Sequence, residues 1–237
     1  MFFSRVLISL QGTVMSRFTI RLYQDSDYDE VRKLFVCGIL EHDGQMFKHA
    51  LHLTHIWLPL LAVVVLPAFQ IVSLGSSFIA FTLAVAAVWL GGRHILTSYV
   101  QATLADDMLD IHNFYLEQDD HCFWVAESAG ELLGIVAAFP SPHSSEGKDL
   151  ALRRLSVSAG HRGKGIAQAL CRTVVNFARQ RGYEAVVLTT TNAQIGARKL
   201  YEKFGFRLIC KIEPPGFLYK FMDFVVLFYR YDILKPQ

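Results

Sequence analysis

Apolar residues recur along this chain with three spacings, each of which predicts a different kind of element. In residues 18–22, Phe18, Ile20 and Leu22 alternate with polar neighbours, the period of a strand. From a cap at Ser26 or Asp27 to about 42, Val31, Leu34, Phe35, Ile39 and Leu40 fall on one helical stripe. A polar linker is expected over 43–54, followed by an unbroken apolar run. Helical spacing returns over about 97–118, where Val100, Leu104, Met108, Ile111 and Tyr115 share a face. Residues 122–127 and 132–139 predict a β-hairpin around Ser128-Ala129-Gly130, and 140–148 a loop. Next come a strand over about 150–157, a glycine-rich turn, a helix to about 181, a strand over 185–191, a helix over 194–204 and a strand over 206–212. Pro214-Pro215-Gly216 interrupts the chain before a last strand within 219–231. The order reads β-α-α-β-β-β-α-β-α-β-β, with no internal repeat.

The unbroken run decides how part of the chain sits. Residues 56–92 contain no Asp, Glu, Lys or Arg. As a single helix they would extend about 55 Å, nearly twice the roughly 30 Å of a bilayer's hydrocarbon. A break near Gly75-Ser76-Ser77 instead divides them into 56–74 and 76–92, a transmembrane helical hairpin slightly short for full crossing. Pro59 and Pro67 should kink the first arm, and Trp57 and Trp89 stand where interfacial aromatics belong. A buried soluble hairpin is the rival, but two adjacent uncharged helices exceed what a domain of this size can bury. Both flanks of a hairpin share one compartment. The expected organisation is an N-terminal extension over 1–14, a domain over 15–55 and 93–237, and the membrane insertion at 56–92.

Charge and composition narrow the partners. A net charge of +2 leaves no nucleic-acid footprint. Charged residues make up 19 %, against about 25 % in soluble domains, and the deficit lies in the apolar run. Residues 1–10 are too brief for a secretory signal. Cys37, Cys122, Cys171 and Cys210 lack CxxC spacing, so neither a zinc site nor a disulfide framework is expected, in keeping with a reducing compartment. Asn113, Asn176 and Asn192 fail the glycosylation pattern. His49, His52 and His55 have i, i+3, i+6 spacing and read as an interfacial polar stripe rather than a metal site. No metal is expected.

Chemistry concentrates in LRRLSVSAGHRGKGIAQALC, residues 152–171. Strand, glycine loop and helix follow one another there, aiming free backbone N–H groups and a helix dipole at an anion. Gly163 and Gly165 permit close approach and positive φ, while Arg162 and Lys164 add charge. A Walker A loop is excluded because Gly165 leads into Ile166, and a Rossmann fingerprint because Gln168 replaces its third glycine. What remains, Arg162-x-x-Gly165-x-Ala167 behind a strand ending at Val157, resembles the acetyl-CoA signature of the Gcn5-related N-acetyltransferase (GNAT) superfamily. QIGARKLYEKFGF, residues 194–206, resembles the superfamily's second pattern, Asn-x-x-Ala-x-x-x-Tyr-x-x-x-Gly-Phe, with Gln194 in the Asn place. The expected fold is thus α+β, a mixed, mostly antiparallel sheet flanked by helices with the hairpin inserted between the first two helices. That insertion, together with Tyr99, Thr103, Asp107, Asp110 and Tyr115 beyond it and CFWVAES at 122–128, resembles the camello-like N-acetyltransferases over 15–231.

The resemblance implies an endoplasmic reticulum membrane enzyme that takes acetyl from acetyl-CoA to an amine: the α-amine of cysteine S-conjugates, a protein lysine, or aspartate. Its catalytic domain is expected on the cytosolic side. It implies that Arg162, Gly163, Lys164, Gly165, Ile166 and Ala167 hold the diphosphate, that the backbone of Leu155, Ser156 and Val157 lines the pantetheine path, and that Gln194 borders the cofactor. Tyr201, two turns into its helix, would protonate the leaving thiolate. The base stays open among Glu127, Asp149, Asp107 and Asp110. Of Arg153 and Arg154, which strand alternation sends to opposite faces, one would hold a substrate carboxylate. In the superfamily the segment between the first two helices lines the acceptor cleft, so an acceptor with an apolar tail is expected to arrive along the membrane. A luminal protein-lysine acetyltransferase and an idle CoA-binding regulator are the alternatives, and oligomeric state is left open.

Overall fold

A computed structural model describes residues 18–142, 144 and 147–233; the expected extension over 1–14 lies outside them. Seven strands form one sheet in the order β1-β2-β3-β4-β5-β7-β6. They are β1 (Thr19–Leu22), β2 (Cys122–Ser128), β3 (Glu131–Pro140), β4 (Asp149–Val157), β5 (Ala185–Thr191), β6 (Arg207–Ile212) and β7 (Val226–Asp232). Neighbours run antiparallel except β4 and β5, which are parallel because α6 (Ile166–Gln180) crosses between them.

Helices cover the sheet on both sides. On one face α6 and α7 (Ile195–Phe204) bury Leu170, Val174 and Tyr201 against Leu150, Leu152, Val186 and Leu188. On the other face, Val31 and Phe35 of α1 (Tyr28–Leu40), Val100 of α4 (Leu74–Ala105), and Ile111 and Tyr115 of α5 (Ile111–Tyr115) close over Phe123, Val125, Ile135 and Ala137. A third cluster joins α4 to α2 (Asp43–Leu51), α3 (Thr54–Val65) and α8 (Phe217–Phe221), through Met46, Ala50, Ile56, Leu60, Leu96 and Met222.

Four boundaries differ from the expected ones, each for a local reason. The linker over 43–54 is mostly helix α2, whose Met46 and Ala50 are buried against α4. The hairpin turns at 70–73 rather than at 75–77. A short 3₁₀ turn, Leu66–Phe69, holds Pro67, Gln70 takes a left-handed φ of 56°, and Ser73 caps α4 by accepting from the Ser76 amide at 3.1 Å. The second arm does not stop at Gly92 but continues as one helix of 32 residues. Gly91 and Gly92 are tolerated inside it because a Cβ there would stand 3.1 Å from Leu218 and 3.2 Å from Met222. The helix expected over 97–118 is therefore split. Arg32 donates to the carbonyls of Leu104 and Met108, closing α4, and Asp110 opens α5 by accepting from the Asn113 amide at 3.0 Å. The last strand, expected within 219–231, is β7, with the short helix α8 ahead of it.

Candidate active site

The two central strands part company halfway along. Parallel pairing of β4 with β5 ends at Leu152–Leu188, while β5 stays bonded to β7 as far as Thr191. A bulge in β4 assists: Ile135 pairs with Ser156 and Ala137 with Arg153, so Val136 faces two residues, Arg154 and Leu155. Arg154 takes a φ of +56° to make that step. Beyond Leu152, the edge of β4 that faced β5 has no strand partner among the described residues, so the two strands part there in a V. The backbone of Leu155, Ser156 and Val157 borders it. Ser156 contributes only backbone, because its hydroxyl donates to the Leu34 carbonyl at 3.1 Å, and a Cβ on Gly38 would meet that hydroxyl at 2.2 Å.

At the mouth of the V stands the glycine loop. Gly163 has φ +75° and Gly165, the N-cap of α6, φ +83°; a Cβ at either would meet nothing within 4 Å. Conformation rather than crowding selects glycine there, and the loop's outer surface is left open. Ala169 is the first amide of α6 to close a turn, donating to Gly165 at 3.0 Å, and the amides before it belong to the unpaired set that opens every helix. Ile166 is buried and anchors the helix, so it can serve an anion only through its N–H. Lys164 is exposed. These features fit a diphosphate. Arg162 departs from expectation: its Nε donates to the Val157 carbonyl at 3.0 Å and its Nη2 pairs with Glu41 at 2.5 Å. Glu41 follows directly on α1 and lies across a cavity of about 420 Å³ beside the loop. A half-exposed pair of this kind is worth about 0–1 kcal/mol, too little to hold the guanidinium against a diphosphate.

Across the V, Tyr201 descends from α7 into the core, 5.7 Å from Phe206 and 6.3 Å from Tyr229 between ring centres. Burial pushes its phenol well above the ordinary range, with smaller contributions from Cys171 and Tyr99, so it stays protonated. Among the described residues its hydroxyl has no hydrogen-bond partner. Gln194 precedes α7, its Oε1 accepting from Thr190 Oγ1 at 2.8 Å and the Thr191 amide at 3.3 Å, which ties the start of α7 to the end of β5.

The chain matches the acetyltransferase (GNAT) family model over residues 89–206. It is 36 % identical to "Probable N-acetyltransferase camello" of Xenopus laevis across 92 % of this chain and 99 % of that one. The identity is 45 % to N-acetyltransferase 8 of Mus musculus, over 81 % of this chain and 86 % of its relative. The chain belongs to the camello-like N-acetyltransferases. Among solved structures, a ribosomal-protein-alanine N-acetyltransferase from Brucella melitensis superposes with a TM-score of 0.52 at 15 % identity, covering 91 % of this chain and 99 % of that one, a likeness of fold. The chain is thus an N-acetyltransferase with the GNAT fold.

In this camello-like chain alternation does send Arg153 and Arg154 to opposite sides of the sheet, but neither stands as a free clamp for an acceptor carboxylate. Arg154 and Asp107 are both buried and bonded to each other, Nη2 to Oδ1 at 2.6 Å and Nε to Oδ2 at 2.9 Å. Tyr115 donates to the same Asp107 oxygen, while Tyr99 and Thr103 accept from Arg154 Nη1 at 2.8 and 3.3 Å. Burial disfavours the charge on Arg154, yet the Asp107 bonds outweigh it and raise its pKa. Neither a free base nor a free carboxylate clamp remains in this pair. Arg153, on the opposite side, stacks 5.0 Å from the centre of Phe139 and lines a smaller cavity of about 190 Å³.

The other proposed bases are also engaged: Glu127 by Arg21 at 2.6 Å, Asp149 by Arg230 at 2.8 Å, and Asp110 as the cap of α5. The histidines, expected as an interfacial stripe, instead tie the foot of the hairpin to α8. His49 meets Asp223 at 3.1 Å and His55 donates to the Phe221 carbonyl at 2.8 Å. Tyr99 and Thr103 join the buried Arg154–Asp107 cluster without belonging to either the glycine-loop or the α7 pattern. Their signal was the polar row Tyr99, Thr103, Asp107, every fourth residue beside the apolar stripe of that helix.

Proposed function

We propose that this enzyme transfers acetyl from acetyl-CoA to the α-amine of a small amino acid bearing an apolar side group, most readily an S-substituted cysteine. The observation that carries the reading is the parting of β4 from β5, with an uncrowded glycine loop at the start of α6 and, on α7, a buried protonated phenol that has no hydrogen-bond partner among the described residues. The loop's amides bind the diphosphate. The backbone of Leu155–Val157 aligns the pantetheine arm and polarises the thioester carbonyl, and Tyr201 gives its proton to the departing sulfur. No metal takes part in this scheme.

The state of the carboxylates favours an α-amine over a lysine. With Glu127, Asp149, Asp107 and Asp110 all engaged, the acceptor gains from bringing its own neutral nitrogen. An α-amine is less basic than a lysine amine of pKa about 10.4, so a larger share of it is neutral at pH 7.4. The apolar tail is favoured by the hairpin. Leu58, Leu61, Val64, Phe69, Ile71, Leu74, Phe78, Ile79 and Leu83 of α3, the turn and α4 are all exposed. We place this surface in a bilayer, the endoplasmic reticulum membrane, with the catalytic domain on the cytosolic side, where its four free cysteines suit a reducing medium. From Trp89 to the tip at Leu74 is about 22 Å of helix, less than the roughly 30 Å of hydrocarbon, so the hairpin dips into the membrane and returns.

Purified protein in detergent, given acetyl-CoA and an amine panel, tests this. S-benzyl-cysteine should release CoA fastest, ahead of free lysine, aspartate and a lysine peptide, and Gly165→Glu should abolish the release. Preference for aspartate ends the apolar-acceptor reading. Preference for the lysine peptide, with the domain protease-protected in sealed microsomes, favours luminal protein acetylation instead. Binding of CoA without turnover of any amine leaves a regulator.

A further inference from the structure

We propose that Tyr99, near the end of α4, is a second phenol of the reaction centre, donating a hydrogen bond to the thioester oxygen as it becomes negative. The inference rests on the acetyl-transfer reading above and adds a residue to it.

The hydroxyl's bonding comes first. Tyr99 Oη accepts from Arg154 Nη1 at 2.8 Å. A guanidinium can only donate, so the phenol's own proton is left for another acceptor. Charge on the donor also polarises the O–H, which makes it a better donor in turn. Asp107 holds the other side of the guanidinium with two bonds, so Arg154 cannot swing away to leave Tyr99 alone.

Position comes second. Arg154 is in the bulge, immediately before Leu155, where β4 has already left β5. The hydroxyl bonded to it is therefore tied to the residue that directly precedes the unpaired stretch of β4. Tyr99 belongs to the layer of α1 and α4, its ring 6.2 Å from Phe35, whereas Tyr201 belongs to the layer of α6 and α7. The two phenols thus lie on opposite faces of the sheet. Tyr99 nevertheless keeps 48 % of its surface exposed, so its ring borders open space while its oxygen is fixed.

The chemistry balances with both phenols assigned. The neutral amine nitrogen forms a bond to the carbonyl carbon, and the carbonyl π pair moves onto oxygen. Tyr99 and the β4 backbone N–H groups stabilise that oxyanion by hydrogen bonds, and Tyr99 retains its proton throughout. The oxyanion pair then returns to re-form the C=O bond as the C–S bond breaks, and the C–S pair goes to sulfur, which takes the Tyr201 proton. The proton lost by the amine passes to water, and Tyr201 recovers one from water. Loss of one oxyanion donor costs about 10²–10³ in kcat.

Anchoring of Arg154 is the competing role for Tyr99, and Thr103 separates the two. Its Oγ1 accepts from the same Nη1 at 3.3 Å, so Thr103→Val weakens the anchor without touching the phenol. In the full-length protein in detergent, Tyr99→Phe should lower kcat about 100-fold with KM for acetyl-CoA within about twofold. Thr103→Val should stay within about threefold of wild type. The infrared band of bound [1-¹³C]acetyl-CoA should rise in frequency in Tyr99→Phe and stay put in Tyr201→Phe, a readout that needs no turnover. Equal losses of kcat in Tyr99→Phe and Thr103→Val, or an unmoved carbonyl band, overturn the proposal. A wild-type protein that acetylates no amine overturns the acetyl-transfer reading first, a failure visible before any variant is made.

Discussion

Arg154 adopts a left-handed backbone in the middle of a strand, a conformation that costs a non-glycine residue of order 1–3 kcal/mol. The surrounding side chains over-determine it: two bonds to Asp107, one each to Tyr99 and Thr103, and the Phe35 ring 5.4 Å from its Cζ. Strand alternation correctly separated Arg154 from Arg153, but a bulge is not visible in a pattern of apolar positions, so the burial of Arg154 was not legible. Tyr201 was legible because its place in a spaced pattern fixed its helix and its depth. Tyr201→Phe keeps the ring packing against Phe206 and Tyr229 and removes only the proton. It should lower kcat about 100-fold without changing affinity for CoA, as steady-state kinetics and calorimetry will show, and unchanged kcat would remove the proposed acid.

Among elements, the β4–loop–α6 unit was the most legible, since strand, glycines and amphipathic helix each carry their own local signature. Helix α4 was the least. Its charge-free stretch reads as one segment and its amphipathic end as another, but nothing between Arg93 and Thr97 stops a helix, and α4 runs through both. The same helix carries Tyr99 and Thr103 into the domain and leads directly to Asp107 in the turn beyond it, so one element links the apolar hairpin to the bulge of β4. Asp107→Asn is expected to be severe at this scale, because it leaves the buried Arg154 charge without its partner. Such losses run to about 3–5 kcal/mol. The thermal midpoint in detergent should fall well below that of wild type, and Arg154→Met, which removes the stranded charge, should restore part of it in the double variant. A midpoint unchanged by Asp107→Asn would mean the pair is not buried in solution.

For the molecule as a whole, the apolar surface is concentrated on one projection. At its tip Phe69 is 70 % exposed and Leu74 79 %, and no charged residue occurs between 56 and 92. Placing Asp at both Phe69 and Phe78 should weaken liposome association strongly, since each charge near the bilayer centre costs about 2.5–3.5 kcal/mol. Flotation should show the wild type with the vesicles and the double variant largely in the soluble fraction, with CoA binding retained. Equal flotation of both would show that the hairpin is not what holds the protein to the membrane.

Local order determined the superfamily pattern, the glycine loop ahead of α6, the place of Tyr201 on α7 and the existence of an apolar insertion, because each rests on residues close together in sequence whose spacing alone creates the feature. The opening between β4 and β5, the pairing of Asp107 with Arg154 across 47 positions, the diversion of Arg162 to Glu41 and the arrival of Tyr99 at the bulge were decided by tertiary structure. These depend on which charges are buried next to which, and desolvation forces a partner onto a buried charge wherever the fold supplies one.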